Sequence, residues 1–253
     1  GSWSLGNGSM SVVFWCAAIL TAVFLHFSSE KVPDPDVLYH FRHAEIYGRA
    51  GVAGLFSGDF PWLPYSVIGA YGADLWYGFH LLVIPFTWIE DPVLGLRLAG
   101  VFTTALFLFL ICRAYSLLAL RPAVFWTFFL LFSSAFLLHR IAMLRPHVLS
   151  LSLHVLLFAL LAAGGLWGVF LTALASTFLH LSLFVVSFLV FGIFAATKWA
   201  AEKIFPWRQG LALTGGILAG WILRPHPFGA AKIAYVQVFR FVLEKAGGLP
   251  LDF

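Results

Sequence analysis

Long apolar runs follow one another through most of this 253-residue chain, and they constrain its fold more than any other feature. Hydrophobic residues make up 61% of the sequence and charged residues only 10%, so a water-soluble domain of this length would lack the polar surface that it needs. The runs are continuous and do not alternate at every second residue, which predicts helical spans. The sequence therefore predicts an all-α integral membrane protein.

The lengths of the runs predict about seven transmembrane helices in a single transmembrane domain. The predicted spans are residues 10–27, 93–118, 123–138, 148–163, 166–180, 181–197 and 210–223. Residues 166–197 could instead form one long tilted helix. Glu90 and Asp91, directly before Pro92, predict a capped helix start for the second span.

The segments outside these spans also have predicted places. Residues 28–92 are expected to form an extracytoplasmic first loop, with aromatic juxtamembrane helices over 65–89. Residues 93–224 hold the remaining spans, and residues 228–246 are expected to form an amphipathic helix at the membrane interface. With the first loop outside, nearly every ionisable residue near a span end falls on the same side. The active face of this multi-pass protein is therefore predicted to be extracytoplasmic.

A polar stretch at residues 33–49 interrupts the apolar pattern directly after the first span. Asp36, His40 and His43 stand at i, i+4 and i+7, so they share one face of a helix. Arg42, Glu45 and Arg49 form a second polar stripe, and a helix that is polar on two sides must border water or a polar cavity. The stretch is therefore the predicted reaction or binding centre.

Three interpretations of this stretch remain open at the level of the sequence. Asp36, His40 and His43 have the spacing of ligands for a divalent metal such as Mg²⁺ or Mn²⁺, and Asp34 could complete the set. Alternatively, Asp36 or Asp34 acts as a general base while the histidines bind substrate by hydrogen bonds. In the third, structural interpretation, the side chains pair internally with arginines, of which the candidates are Arg42, Arg49 and Arg97.

The sequence Leu-Arg-Pro-His occurs twice, at residues 144–147 and 223–226, each time at the predicted outer end of a span. Arginine offers a bidentate fork to phosphate, so Arg145, His147, Arg224 and His226 are candidate phosphate ligands. The alternative is interfacial anchoring, with long side chains that reach the membrane surface and proline at a helix start. Two copies on one predicted side favour the phosphate interpretation.

The chain has no P-loop and no dinucleotide-binding fingerprint, so its sequence indicates no nucleotide-linked substrate. The net charge of +4 is modest, and basic residues in a membrane protein mostly set its orientation in the bilayer. We therefore predict no nucleic-acid partner.

Residues 34–42, which read D-P-D-V-L-Y-H-F-R after a first span, resemble the GT-C superfamily of polytopic glycosyltransferases. The string D-V-L-Y-H-F-R is similar to the first acidic motif of archaeal oligosaccharyltransferase catalytic subunits. Residues 61–89 and 92–97 are similar to the juxtamembrane segment and the entry to the second span of protein mannosyltransferase-like members. The resemblance covers about the first 150 residues. The resemblance implies that Asp36 is the aspartate of this motif, which is a metal ligand or a catalytic carboxylate depending on the branch of the family. It also implies that His40 and Arg42 are the polar residues that follow the aspartate in the motif. Residues 144–147 lack the acid of the second motif, and the W-W-D-Y-G motif is absent from this sequence.

The expected function is sugar transfer from a polyprenyl-phosphate carrier to a glycan, lipid or protein acceptor on the extracytoplasmic side. Asp36 or Asp34 would deprotonate or orient the acceptor, and the arginines with their neighbouring histidines would hold the phosphate leaving group. The competing class is a non-enzymatic transporter or lipid-binding subunit that uses the same polar cavity. A transporter cavity should open to both sides of the membrane, whereas the enzyme's should open only outward and sideways to lipid.

Overall fold

The computed structural model of the protein describes residues 8–29, 34–57, 60 and 63–247, and these residues are largely helical, with no strand among them. Thirteen α-helices are present in the described residues: α1 Gly8–Phe27, α2 Pro35–Ser57, α3 Val67–Tyr71, α4 Tyr77–Val83, α5 Pro92–Leu117, α6 Ala123–Phe132, α7 Ala135–Ala142, α8 Pro146–Ala163, α9 Leu166–Leu179, α10 Phe184–Glu202, α11 Trp207–Ile222, α12 Pro227–Tyr235 and α13 Phe241–Ala246. Short 3-10 helices span Ile84–Trp88 and Leu181–Leu183, and a π-helical turn spans Val236–Arg240. Pro33, the first residue of the predicted polar stretch, lies outside the described residues.

Among the described residues, three helices are long and apolar enough to cross a membrane, which fits an integral membrane protein: Pro92–Leu117, Pro146–Ala163 and Leu181–Glu202. A fourth crossing is possible if α6 and α7 act as one span, although the pair is bent by 90°. Two shorter apolar helices cover Val12–Phe27 and Leu166–Leu179. The all-helical prediction is confirmed, while the count of seven crossings stays a prediction.

Two breaks divide the apolar runs: one falls at the predicted boundary between residues 180 and 181, and the other divides a predicted span. At His180 the backbone is extended, with φ −148° and ψ 93°, so residues 166–197 form two helices joined by a 3-10 turn rather than one long helix. The predicted span 123–138 is divided at Ser134, whose side chain caps α7 by accepting the amide N–H of Leu137 at 3.3 Å. The capped start of α5 is confirmed, because Asp91 accepts the N–H of Val93 at 2.9 Å.

Helix α2 is buried on two neighbouring faces. Val37, Phe41 and Ala44 repeat at i, i+4 and i+7 and pack in the main apolar core with Phe79 of α4 and Leu96 of α5. The polar face carries Asp36, His40 and His43, one residue earlier in each turn. Because the two faces adjoin, packing of the apolar face presses the histidines against α4.

Helix α4 lies directly against α9. A β-carbon added at Gly78 would come within 2.6 Å of the Phe178 carbonyl oxygen, so only glycine allows this approach of the two backbones. The contact brings the loop before α4 next to the break at His180. It thereby assembles the polar site from three distant parts of the chain.

Candidate functional site

A cleft of about 440 Å³ opens between the start of α2, the start of α8 and the break at His180. Its wall combines ionisable and aromatic side chains, of which those with polar groups are Asp36, Tyr39, His40, Ser66, Trp76, Arg145, His147 and His180. A second cavity of about 540 Å³ adjoins it, lined by Phe136, Leu137, Arg140, Val148 and Leu151 together with Arg145 and His147. Arg145 and His147 therefore stand where a polar cleft meets a mainly apolar one.

Arg145 joins the two acids of the first polar stretch. Its Nε and Nη2 groups donate to buried Asp34, and Nη2 also lies 2.9 Å from the Asp36 carboxylate, whose side chain is 60% exposed. No acceptor among the described residues takes the two N–H groups of Nη1. The structural pairing foreseen with Arg42, Arg49 or Arg97 is therefore made by Arg145 instead, and this arginine keeps donors for a ligand.

Two further donors at the cleft wall lack a partner. The hydroxyl of Tyr39 and Nδ1 of His180 are buried atoms with no hydrogen-bond partner among the described residues. Trp76 Nε1–H, which can only donate, lies 3.1 Å from His180 Nε2, so a neutral His180 carries its proton on Nδ1. Burial, with a smaller contribution from His147, lowers the pKa of His180 to about 4 and keeps the ring neutral. Both orphaned groups can donate to a polar ligand.

A buried hydrogen-bonded chain lies behind the cleft. His80 Nδ1 is 2.5 Å from Asp74 Oδ2, and His80 Nε2 is 2.8 Å from His40 Nδ1. In the state in which His80 is neutral, the Asp74 carboxylate fixes its proton on Nδ1, and His80 Nε2 accepts from His40 Nδ1–H. In that state the lone pair of His40 Nε2 is the acceptor that can meet a ligand in the cleft.

Asp74 is the buried anchor of this chain. It also accepts the Trp76 backbone N–H at 2.9 Å and the Tyr47 hydroxyl at 3.2 Å. Burial would raise the pKa of Asp74, but its charge interaction and hydrogen bond with His80 outweigh burial and bring the pKa below its usual range. Burial, followed by the nearby His80, lowers the pKa of His40 to about 2. This hydrogen-bonded series of side chains therefore contains one carboxylate, that of Asp74, and a neutral His40.

His43, Asp74 and His80 together form a group that could hold a metal ion. One ligand atom from each lies within 4.8 Å of the others, and all three residues are buried. The ligand set predicted from sequence, Asp36, His40 and His43, is not brought together in this way. Asp36 is paired with Arg145 and His40 Nδ1 with His80, so only His43 belongs to the metal-capable group.

The second Leu-Arg-Pro-His copy has a different environment from the first. Arg224 is 3% exposed, and its guanidinium donates to the carbonyls of Asp74 and Leu75 and of Thr177 and Phe178. Neither Arg224 nor His226 is among the described residues that line the cleft. Arg224 thus holds the backbone on both sides of the site through its two Nη groups, while its buried Nε–H has no partner among the described residues.

Arg42, the other predicted substrate ligand, is on the exposed side of α2. It pairs with Glu45, which also pairs with Arg49, and Arg42 is not among the described residues that line the cleft. By contrast, Asp36, His40, Arg145 and His147 meet at the cleft wall as one group.

Several site residues were missed from the sequence: Tyr39, Asp74, Trp76, His80 and His180. Asp74 and His80 stand out as ionisable residues within the aromatic stretch 65–89, but that stretch was interpreted as an interfacial segment without chemistry. Their relation to His40 depends on a contact between helices that spacing along the chain does not reveal.

Comparison with known protein families, with curated proteins and with solved structures finds no match to this chain.

Proposed function

We propose that the protein is a GT-C-type glycosyltransferase that moves a sugar from a polyprenyl-phosphate carrier to an acceptor hydroxyl or amide. The observation that carries the proposal is the meeting of Asp36 and Arg145 at one cleft, where an apolar cavity begins. A lipid-linked sugar needs such a boundary, since its head is polar and its tail is not. In this proposal the protein is multi-pass and its cleft faces the extracytoplasmic side.

The phosphate of the donor would lie between the cleft and the adjoining cavity. Arg145 offers the free N–H groups of Nη1, and His147 lies beside it in both cavities. Tyr39 and His180 offer the orphaned donors of the cleft wall. Charge-assisted hydrogen bonds of this kind stabilise the negative charge that develops on a phosphate leaving group.

The isoprenoid tail would extend along the second cavity, past Phe136, Leu137, Val148 and Leu151. Phe136 and Leu137 belong to α7, the second helix of the bent pair, and Val148 and Leu151 belong to the candidate span α8. An apolar chain placed there keeps contact with the hydrocarbon core while its phosphate reaches Arg145.

Asp36 would be the base that activates the acceptor. The ion pair with Arg145 occupies this carboxylate at 2.9 Å, and a phosphate that draws Arg145 towards itself frees it. Asp36 then takes the acceptor proton as the acceptor atom bonds to the anomeric carbon. The bond from that carbon to the phosphate oxygen breaks, and its electron pair leaves with the polyprenyl phosphate. Asp34, buried against Arg145, keeps the arginine in place.

Transfer can be measured with the purified protein in lipid nanodiscs, supplied with a panel of polyprenyl-phosphate-linked hexoses and pentoses together with glycan, lipid and peptide acceptors. We expect release of polyprenyl phosphate, and a loss of turnover of about 100-fold or more in Asp36→Asn, because general bases contribute at least that much. Glu45→Gln is the matched control, since Glu45 is an acid on the same helix that pairs with Arg42 and Arg49. Wild-type turnover in Asp36→Asn, or no release from any donor, would contradict the proposal.

A further inference from the structure

We propose that His43, Asp74 and His80 bind a divalent transition-metal ion of the zinc class at a buried site behind the cleft. The proposal does not depend on sugar transfer, because it concerns the binding of an ion and is tested without any donor.

The three ligands converge from two helices and the loop between them. His43 lies on α2, Asp74 in the loop before α4 and His80 on α4. His43 Nε2 is 3.7 Å from Asp74 Oδ2, and His80 Nδ1 is 2.5 Å from the same oxygen. The side chains of the three residues are at most 1% exposed. An ion would take the place of the proton that His80 now donates to Asp74, with a small separation of the two ligands.

The chemistry of the donors selects the class of metal. Two imidazoles and one carboxylate match the ligand preference of zinc and similar transition metals, whereas Mg²⁺ and Ca²⁺ prefer sites built from oxygen atoms alone. The magnesium interpretation of the polar stretch is therefore less favoured for this cluster. A single carboxylate with two neutral imidazoles would leave a divalent ion with a net charge of +1 at this buried position, so the carboxylate supplies half of the compensation and the imidazoles supply coordination alone.

Two of the three ligands are positioned by neighbouring groups, as ligands in metal sites generally are. His80 Nε2 contacts His40 Nδ1 at 2.8 Å, which orients the ring from its far side. Asp74 is held by the Trp76 N–H and the Tyr47 hydroxyl, and Arg224 donates to its backbone carbonyl at 2.9 Å. His80 and Asp74 are thus held in place by the residues around them.

Occupation of this site would change the chemistry of the cleft. With an ion on His80 Nδ1, a neutral His80 carries its proton on Nε2 and donates to His40 Nδ1. His40 then carries its own proton on Nε2, so its nitrogen available to the cleft changes from an acceptor to a donor. The number of protons on the two rings stays the same.

The test uses the full chain purified through a tag without histidines, and it measures bound metal by elemental analysis. We expect about one zinc-class ion per chain after incubation with Zn²⁺ and removal of excess, and visible absorption typical of nitrogen–oxygen ligation with Co²⁺. His43→Gln and Asp74→Asn should each retain less than about a tenth of the metal, because loss of one of three ligands removes most of the affinity. His139→Gln, at an exposed histidine, should bind as the wild type does.

A second measurement keeps the proposal testable if a variant fails to fold. Zn²⁺ should raise the melting temperature of the wild type, since a ligand that binds only the folded state stabilises it. It should also move the ¹⁵N signal of His40 to that of the other tautomer. An equal metal content in wild type and His43→Gln, or a wild type with neither bound metal nor a thermal shift, would overturn the proposal. Absence of sugar transfer alone would leave it standing.

Discussion

At the scale of single residues, the cleft contains more hydrogen-bond donors than the described residues satisfy. The Tyr39 hydroxyl and His180 Nδ1 are buried without partners in the described part of the chain, where the two N–H groups of Arg145 Nη1 have no acceptor either. A buried donor without an acceptor costs about 1–3 kcal/mol of folding free energy. Such a cost is explained if a ligand supplies the acceptors, and in the proposed function that ligand is the phosphate of the donor.

Replacement of Tyr39 by phenylalanine should therefore separate stability from binding. Tyr39→Phe removes an unsatisfied hydroxyl, so we expect a free energy of unfolding that is unchanged or higher by up to about 1 kcal/mol. The same variant should bind polyprenyl phosphate more weakly than the wild type. Thermal unfolding and equilibrium binding of polyprenyl phosphate measure the two effects.

Tyr47→Phe is the matched control for this prediction. Its hydroxyl donates to Asp74 at 3.2 Å, so its loss should lower the free energy of unfolding by about 1 kcal/mol. A Tyr39→Phe variant that loses stability while it keeps its affinity for polyprenyl phosphate would contradict the assignment of Tyr39 to the ligand.

At the scale of helices, the site depends on one seven-residue helix. Helix α4 carries His80 and follows directly on Asp74 and Trp76, and its position is set by the approach of Gly78 to Phe178 on α9. The same approach places Trp76 next to His180. A change in the distance between α4 and α9 would therefore disturb the buried network and the cleft wall together.

Gly78→Ala tests this dependence. The added methyl group would meet the Phe178 carbonyl oxygen at 2.6 Å, and neither backbone can yield without moving its helix. We expect a loss of about 1–3 kcal/mol in the free energy of unfolding, the usual cost of overpacking. Gly192→Ala on α10 is the control, since no atom lies within 4 Å of its added carbon and alanine favours a helix. Equal melting temperatures for Gly78→Ala and wild type would show that α4 has room to adjust.

The helical fold and part of the cleft lining could be predicted from the sequence. The predicted span 93–118 agrees with Pro92–Leu117 because Asp91 and Pro92 mark its start by local rules. The break at Ser134 was missed because two serines inside an apolar run carry little signal.

Asp36, His40 and Arg145 were expected to meet and do so. Asp74 and His80 were overlooked as site residues, and Arg224, a predicted phosphate ligand, instead donates to backbone carbonyls. These contacts depend on tertiary packing, which the spacing of residues along the sequence does not reveal.

At the scale of the whole molecule, the protein buries several histidines in their neutral form. The pKa values of His40, His43 and His180 are lowered to about 2, 4 and 4, in each case chiefly by burial. A histidine in an unfolded chain has a pKa near 6.5, so between these values the unfolded state binds more protons than the folded state. Stability must therefore rise with pH across this window and fall on acidification.

His180 offers the clearest test of this pH dependence. Its ring faces Trp76, with His147, Arg224 and His154 as the neighbouring cationic or titratable groups. Between pH 6.5 and about 4 it should contribute a loss of up to about 1.4 kcal/mol of stability per pH unit. We expect His180→Gln to flatten the dependence of melting temperature on pH in detergent, while His139→Gln at an exposed position keeps the wild-type slope. Identical slopes for wild type and His180→Gln would show that His180 takes up its proton without cost in the folded protein.

The guanidinium of Arg224 has a consequence for the order in which the molecule is made. It joins backbone from residues 74–75 and 177–178, yet it follows the second of these segments by 46 residues. During synthesis, both segments leave the ribosome before Arg224, the residue that joins them. A nascent chain halted ahead of residue 224 would present an unfinished cleft, although the missing part forms none of its lining.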